Sequence, residues 1–333
     1  MKKEFLLLLL VLLLFASCID QVDKPELQPL ASSAIEFTYP SSIGTSGDAI
    51  NGLLGYGYDA TGLCDTISVK AKVFATLPVY GLYLSHPSST FPTLVSGGTF
   101  DELSTKINHP YIITGSGEVL TQHLKSLMKL ANVSDSINSN YAYTYYACTY
   151  INLHLKFYTD ADNQQYLSLD FKNDVVSLTA KEIVSKYGTH VITDLFNGTK
   201  FEVLYRCKFS SPTNGAVCEN LFYNRMKEFT GGIFGIYKES DTNTKHYQTD
   251  EQLIYNSIGS RKKISGIINT TDYNPDSIQL NIGSIFDKEN IKTQFVTIGS
   301  DGILPIYKLI NDETKKQEVK VYIEKYMTTK TVN

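Results

Sequence analysis

The sequence predicts an α+β fold in which long antiparallel strands and amphipathic helices occupy separate stretches of the chain. Two stretches carry this prediction: residues 141–158, whose side chains alternate as in a strand, and residues 179–188, which show the start, period and end of a helix. A third stretch, residues 312–327, has an apolar stripe at helical spacing with Lys and Glu opposite, which predicts a C-terminal amphipathic helix.

Residues 141–158 predict one long strand. Aromatic and branched side chains favour strands, and a period of two places them on one face of a sheet. We therefore interpret the tyrosines as a half-buried sheet face rather than as a ligand-binding platform. The alternating residues are Tyr141, Tyr143, Tyr145, Leu153, Leu155 and Phe157.

The helix signal at residues 179–188 has three parts. Thr179 and Glu182 have the spacing of a capping box. Gly188 predicts a left-handed C-terminal cap, because glycine carries no Cβ that opposes this conformation. The apolar face between them consists of Ala180, Ile183, Val184 and Tyr187.

A strand follows from His190, and Asn197-Gly198 interrupts it. An Asn-Gly pair is a strong signal for a two-residue hairpin. A bent or bulged single strand fits the same residues. The sequence leaves both interpretations open.

Residues 118–131 satisfy two periods at once. As a helix, Leu120, Leu124, Leu127, Met128 and Ala131 share one face. As a strand, most of one face is apolar, and its members Leu120, Leu124, Met128 and Leu130 are our candidate membrane-inserting residues. The hypothesis is a soluble helix that later becomes a membrane strand, and an ordinary surface helix is the alternative that periodicity alone favours.

The N-terminus predicts export. A short basic start precedes the apolar run Phe5–Phe15, which fits a signal peptide and is too short to span a bilayer. Ala16, Ser17 and Cys18 then resemble a bacterial lipobox, with an ordinary cleaved signal and a chance cysteine as the alternative. We expect Cys18 to be acylated.

These features divide the chain into three parts. Residues 1–17 are the expected lipoprotein signal peptide, residues 18–33 a lipidated flexible tether, and residues 34–333 the folded domain. We expect a lipid-anchored protein of the outer membrane or cell surface, or one released from it.

Four cysteines follow Cys18, and none has the C-x-x-C spacing of a zinc site. Cys207 and Cys218 flank residues 210–215, which are rich in turn-forming residues. In an oxidising compartment the two are a candidate disulfide across a hairpin, and two free buried thiols are the alternative.

The sequence lacks the motifs expected of an enzyme. It contains no G-x-S-x-G, Walker A or H-E-x-x-H motif, and its six histidines are scattered. The glycine-rich stretch at residues 53–62 is interpreted as a tight turn rather than a phosphate loop. A formal net charge of −4 does not favour a nucleic-acid partner. We therefore expect no catalytic residue, no cofactor and no metal.

Three stretches, in order along the chain, resemble the membrane-attack-complex/perforin (MACPF) family. Tyr187-Gly188-Thr189-His190 resembles the family signature at a helix-to-strand junction. Residues 54–62 resemble the N-terminal motif of bacterial lipoprotein members, and residues 299–307 resemble the segment before the last helix. Together these stretches span about residues 50–327.

The resemblance implies a strongly bent, four-stranded antiparallel sheet flanked by two helical clusters, at residues 112–140 and 210–265. In pore-forming relatives such clusters unfurl into amphipathic hairpins, and many subunits close a β-barrel. It also implies that Gly188 and Gly198 serve backbone geometry and sheet bending, and that His190 is structural.

Two features depart from this pattern. Residues 210–265 alternate poorly, and the basic stretch at residues 261–263 would be costly on a lipid face. The family often has a glycine pair where this chain has Gly198-Thr199.

The sequence-based hypothesis is a pore-forming toxin, with bacteria as candidate targets. It would self-assemble into a ring, insert into a lipid membrane and use a surface receptor on the target cell. The first alternative is a non-lytic adhesion or binding lipoprotein with the same fold. The second is an unrecognised hydrolase, which would need a cleft with perturbed acids.

Overall fold

The computed structural model describes residues 52–77, 82–108, 116–130, 140–158, 163–230, 248–269, 280–291 and 294–330. The expected signal peptide, Cys18 and the tether lie outside the described residues, and so does the side chain of Leu130. Within the described ranges, no helix is both long enough and apolar enough to cross a membrane.

Six helices lie within these ranges: α1 (Phe100–Ile107), α2 (Gly117–Leu130), α3 (Leu169–Ser177), α4 (Ala180–Tyr187), α5 (Gly215–Phe229) and α6 (Glu313–Lys330). The strands are β1 (Tyr56–Tyr58), β2 (Val69–Lys72), β3 (Leu82–Ser85), β4 (Ser89–Gly97), β5 (Tyr141–Phe157), β6 (His190–Ile192), β7 (Asp194–Phe209), β8 (Gln248–Ile258), β9 (Ser265–Asn269), β10 (Gln294–Ile298) and β11 (Ile303–Pro305).

The larger sheet is built on β5 and β7, which pair antiparallel along nearly their whole length. The other edge of β5 pairs with β4 and then with β3, while the other edge of β7 pairs with β8 and with β10. A last strand, β9, pairs with β8. The long strands therefore lie in the order β4, β5, β7, β8, which confirms the predicted four-stranded antiparallel core of an α+β fold.

Asn197 and Gly198 lie inside β7, so the hairpin interpretation is wrong and the bulged single strand is right. The register between β5 and β7 shifts at this point, because Ile151 pairs with Gly198 and Leu153 with Asn197. A Cβ on Gly198 would overlap the carbonyl oxygen of Tyr150. Glycine is needed here for the close approach of two backbones, and bulges of this kind bend a sheet.

A second sheet of four short strands, in the order β11, β6, β1, β2, joins the three stretches that carried the family resemblance. Gly57 of β1 pairs with Val191 of β6, and Leu304 of β11 pairs with the same Val191 on the other side. Thr189 fastens the junction, since its N–H donates to the Tyr58 carbonyl at 2.9 Å. Motifs more than 100 residues apart in sequence therefore form one local structure.

Helix α4 has the predicted capping box: Glu182 accepts from the Thr179 N–H at 2.9 Å, and Thr179 accepts from the Glu182 N–H at 3.4 Å. Gly188 has φ +75° and ψ −163°, so the positive φ is confirmed but the left-handed helical cap is wrong. The chain leaves the helix with a positive φ and with ψ near 180°, a conformation that L side chains oppose, and enters β6.

The two helical clusters have different bounds from those expected. The first begins earlier than residue 112, because α1 starts at Phe100 and packs with α2. The second ends before residue 265, because residues 248–258 form β8 and residues 265–269 form β9. Residues 248–258 therefore belong to the sheet and not to the second cluster.

We predict that Gly188→Val lowers the free energy of unfolding by more than the 1–3 kcal/mol typical of a strained backbone residue. The added Cβ would lie 2.5 Å from the carbonyl carbon and oxygen of Tyr58, and φ is unfavourable for a branched residue. Thermal unfolding followed by circular dichroism measures the change.

The matched control is Gly283→Val, because a Cβ at Gly283 meets only one side-chain atom, at 3.7 Å. Equal melting temperatures for the two variants would contradict the prediction.

Candidate functional site

The two helical connections leave the same end of the larger sheet. Gly97, the last residue of β4, pairs with Tyr143 near the start of β5, and Tyr141 pairs with Lys208 near the end of β7. Phe209 pairs with Gln248, the first residue of β8. The first connection, residues 98–140, therefore joins β4 to β5, and the second connection, residues 210–247, joins β7 to β8.

The first connection covers one face of the sheet. Helices α1 and α2 pack against Tyr143 and Tyr145 of β5, Leu204 of β7 and Ile254 of β8. Phe100 meets the Tyr143 ring edge-on, with 5.5 Å between the ring centres. The helix residues in this core are Phe100, Leu103, Ile107, Leu124, Leu127 and Met128.

The structure places α2 in its helical state. Leu124 and Met128 are buried, Leu120 is half-buried, and Leu127, which lies on the opposite face of the strand pattern, is buried as well. The burial of these side chains follows the helical period. The prediction that the same residues can form a membrane strand is not tested by this structure.

The second connection covers the other face. Residues of α5 pack against Ala142 and Tyr146 of β5 and against Val203 and Tyr205 of β7. These positions alternate with those under α1 and α2, and successive side chains of a strand point to opposite faces. The α5 residues in this core are Cys218, Phe222, Tyr223, Met226 and Phe229.

A buried charged cluster lies beneath α2. Glu202 of β7 accepts hydrogen bonds from His123 Nε2 at 2.9 Å and from Asn256 Nδ2 at 3.2 Å. Its second oxygen accepts from the Tyr145 hydroxyl at 3.1 Å and lies 3.1 Å from Lys200 Nζ. These side chains, which we call the Glu202 cluster, are almost fully enclosed by protein.

His123 connects this cluster to α2 and to the loop before β2. Its Nδ1 accepts from the Cys64 N–H at 2.9 Å, so Nε2 carries the proton that it donates to Glu202. Burial alone would raise the pKa of Glu202, but the hydrogen bond from His123 and the charge and hydrogen bond of Lys200 outweigh it and hold that pKa well below its ordinary value.

The sequence pattern alone does not reveal the Glu202 cluster. Lys200, Glu202, Arg206 and Lys208 alternate with apolar residues along β7, which is the pattern of a strand with one solvated face. In the structure α1 and α2 cover much of that face. One signal for the cluster was available in the sequence: a lysine and a glutamate lie two residues apart, between bulky apolar neighbours.

The signature residues lie at the junction between α4 and the smaller sheet. Tyr187 is buried and its hydroxyl contacts Asp174. His190 is buried, its Nδ1 lies 2.8 Å from Thr189 Oγ1, and burial lowers the pKa of His190 to about 4. The imidazole is thus neutral near pH 7 and enclosed in the fold.

Cys207 and Cys218 are free thiols in the structure, with their sulfurs 3.4 Å apart. They do not flank a hairpin, because Asn214 caps α5 by accepting from the Val217 N–H at 3.2 Å. The contact joins β7 to α5, and the disulfide stays a prediction. No group of three or more His, Cys, Asp or Glu that could hold a metal occurs among the described residues.

We predict that Glu202→Gln lowers the free energy of unfolding at neutral pH by about 3–5 kcal/mol, because removing one partner leaves Lys200 buried and uncompensated. The pKa of Glu202 is depressed in the folded chain, so its contribution is present above its ordinary value of 4.5 and is lost as the pH falls below it. Urea unfolding between pH 3 and pH 7 measures both effects.

The variant should lose less stability than the natural chain on acidification. Glu324→Gln is the control, since Glu324 is exposed and lies 3.9 Å from Lys320. A Glu202→Gln chain as stable as this control would contradict the prediction.

Comparisons with known proteins agree with this architecture at the level of fold. No protein-family model matches the chain, and no curated protein matches it. Among solved structures, one similar chain is a putative cell invasion protein with a MAC/perforin domain from Bacteroides thetaiotaomicron. It has 18% identity and a TM-score of 0.62, over 90% of this chain and 64% of that one.

A second similar structure is GNIP1Aa from Chromobacterium piscinae, with 14% identity and a TM-score of 0.59, over 84% of this chain and 56% of that one. This chain thus spans less than two thirds of either protein. Two elements define the architecture of this chain. One is the larger sheet with a helical connection on each face, and the other is the smaller sheet that joins the three motifs. The chain has the fold of MAC/perforin-domain proteins.

Proposed function

We propose that this chain is a pore-forming protein that assembles with copies of itself and inserts both connections into a membrane as β-hairpins. The observation that carries the proposal is topological. Each connection joins two strands that are already neighbours and antiparallel, and both leave the same end of the sheet. Straightening a connection therefore lengthens an existing hairpin, with no strand re-paired and no chain threaded.

The length of each connection fits this role. A membrane hairpin needs two strands of roughly 9–11 residues each. Residues 98–140 and 210–247 both exceed that requirement. Copies that close into a barrel satisfy every backbone hydrogen bond in the lipid, which is the condition for strands to cross a membrane.

Assembly requires free sheet edges on neighbouring copies. The outer edge of β8 is covered by β9 between Gln252 and Asn256. A second copy can pair with β8 there only after β9 has moved away. We infer that the protein is held as a monomer until that edge is exposed.

The basic stretch at residues 261–263 does not oppose insertion. It lies between β8 and β9, outside the second connection, and is exposed. The free-energy cost of placing these basic side chains on a lipid face therefore does not apply to the proposed hairpins.

The same proposal covers location and partners. A lipid anchor at Cys18 would hold the protein at an outer membrane or cell surface until release, and a lipid membrane, a surface receptor and other copies of the chain would be its partners. Insertion needs no covalent chemistry, so we propose that the chain is not an enzyme.

The alternative is a non-lytic binding or adhesion protein with the same fold. The Glu202 cluster favours it, because the buried hydrogen bond from His123 to Glu202 attaches α2 to the sheet and opposes its release.

We predict that the full chain, purified with its anchor, releases dye from liposomes of bacterial lipid extract above a threshold protein concentration. Leu120→Glu should abolish release, because a carboxylate would then face lipid in the proposed strand. The control is Lys125→Glu, which places the same group on the opposite strand face. Both residues are half-buried in the folded chain.

Dye release followed by fluorescence tests the proposal, with melting temperatures showing that both variants fold. Release by the natural chain and by Lys125→Glu, but not by Leu120→Glu, supports insertion. Equal release by both variants contradicts the assigned lipid face, and no release by any folded form favours the non-lytic binder.

A further inference from the structure

Cys207 of the sheet contacts Cys218 of the second connection at the point where insertion would begin. Cys207 lies two residues before the end of β7, and Cys218 lies in the first turns of α5. Both sulfurs are buried beneath α5, 3.4 Å apart. Cys148 pairs with Phe201, six residues or about 20 Å along the sheet from Cys207, so it is not a rival partner.

We propose that Cys207 and Cys218 are a redox-controlled tether, which as a disulfide keeps the second connection folded and as two thiols permits it to open. The proposal rests on the pore-forming function proposed above. It assigns a regulatory modification to residues that the mechanism of insertion does not otherwise use.

The geometry makes the disulfide and the inserted strand mutually exclusive. If β7 continues as a strand past Phe209, Cys218 lies eleven residues beyond Cys207, which corresponds to about 36 Å at a rise of about 3.3 Å per residue. A disulfide requires the two Cα atoms to be within about 7 Å of each other. An oxidised chain therefore cannot extend β7 without interruption, and a barrel strand has to be continuous.

The oxidation is a balanced two-electron exchange. A thiolate of the pair attacks the disulfide of an oxidant, either a small-molecule disulfide or an oxidoreductase of the export compartment, and forms a mixed disulfide. The second cysteine displaces the oxidant's remaining thiol. The two thiols lose two protons and two electrons, and the oxidant's disulfide becomes two thiols.

The folded structure makes both directions slow. Burial, followed by the neighbouring Cys218, raises the pKa of Cys207 far above the ordinary range, and the thiolate is the reactive form. The bond therefore forms during folding or when α5 lifts from the sheet. Once formed, it lies in the same buried cluster as Phe222, so a reductant such as dithiothreitol reaches it only when α5 lifts, and reduction is slow but not prevented.

The test uses the full chain, unfolded in urea and refolded with either oxidised glutathione or dithiothreitol. One portion of each form is alkylated and mapped by peptide mass spectrometry. The other portion is added to dye-loaded liposomes of bacterial lipid extract. We expect the oxidised form to contain the bond between Cys207 and Cys218 and to release no dye until dithiothreitol is added. The reduced form should release dye directly.

Two variants control the result. The double variant Cys207→Ala/Cys218→Ala should release dye after either treatment, and Cys148→Ala should respond to oxidation as the natural chain does. The proposal is overturned if the oxidised chain lacks this bond, or if the bonded form releases dye as fast as the reduced form. Folded chains that release no dye in any form contradict the pore-forming function itself. The mass-spectrometric result does not depend on pore formation and still shows whether the bond forms.

Discussion

The pairing of β5 with β7 is the constraint on which the rest of the structure depends. These two strands pair from Tyr141 opposite Lys208 to Lys156 opposite Asp194, and every other long strand is placed by pairing with one of them. Their alternation divides the side chains between two faces, one covered by α1 and α2 and the other by α5. The close approach at Gly198 and the register shift beside it fix where this pair departs from regular geometry.

The balance between the folded and inserted states depends more on polar groups than on apolar ones. Leu124 and Met128 are already buried in the folded chain, so moving them into lipid gains little of the ~1.5–3 kcal/mol that burial of such a side chain is worth. The Glu202 cluster acts in the opposite direction, because Glu202 loses its buried hydrogen bond from His123 when α2 leaves. Backbone hydrogen bonds in a closed barrel, formed between copies, have to offset that loss.

Local signals in the sequence were sufficient for the elements they control. The alternation of Tyr141 to Phe157 gave β5, and Thr179, Glu182 and Gly188 gave the start and end of α4. The wrong or open assignments depend on partners distant in sequence. Nothing local shows that Gly188 extends towards β6, or that Gly198 lies inside one strand because Tyr150 passes next to it.

The candidate site was less predictable than the fold for the same reason. The double periodicity of α2 was visible, but the charges of Lys200 and Glu202 suggested a solvated face until α1 and α2 were placed over them. The turn-forming residues between Cys207 and Cys218 suggested a pair across a hairpin, whereas the contact in the structure is between a strand and a helix. Tertiary packing thus determines the surroundings of these residues, and those surroundings could not be predicted from the residue types alone.

The most direct measurement of the central claim is the environment of α2 on a membrane, one residue at a time. Single cysteines at residues 119–128 of a chain without its other thiols would carry an environment-sensitive fluorophore. We predict that liposomes change the fluorescence with a period of two, bright at Leu120, Gln122 and Leu124 and dim at Thr121 and Lys125. A helical period kept unchanged after membrane binding would contradict it.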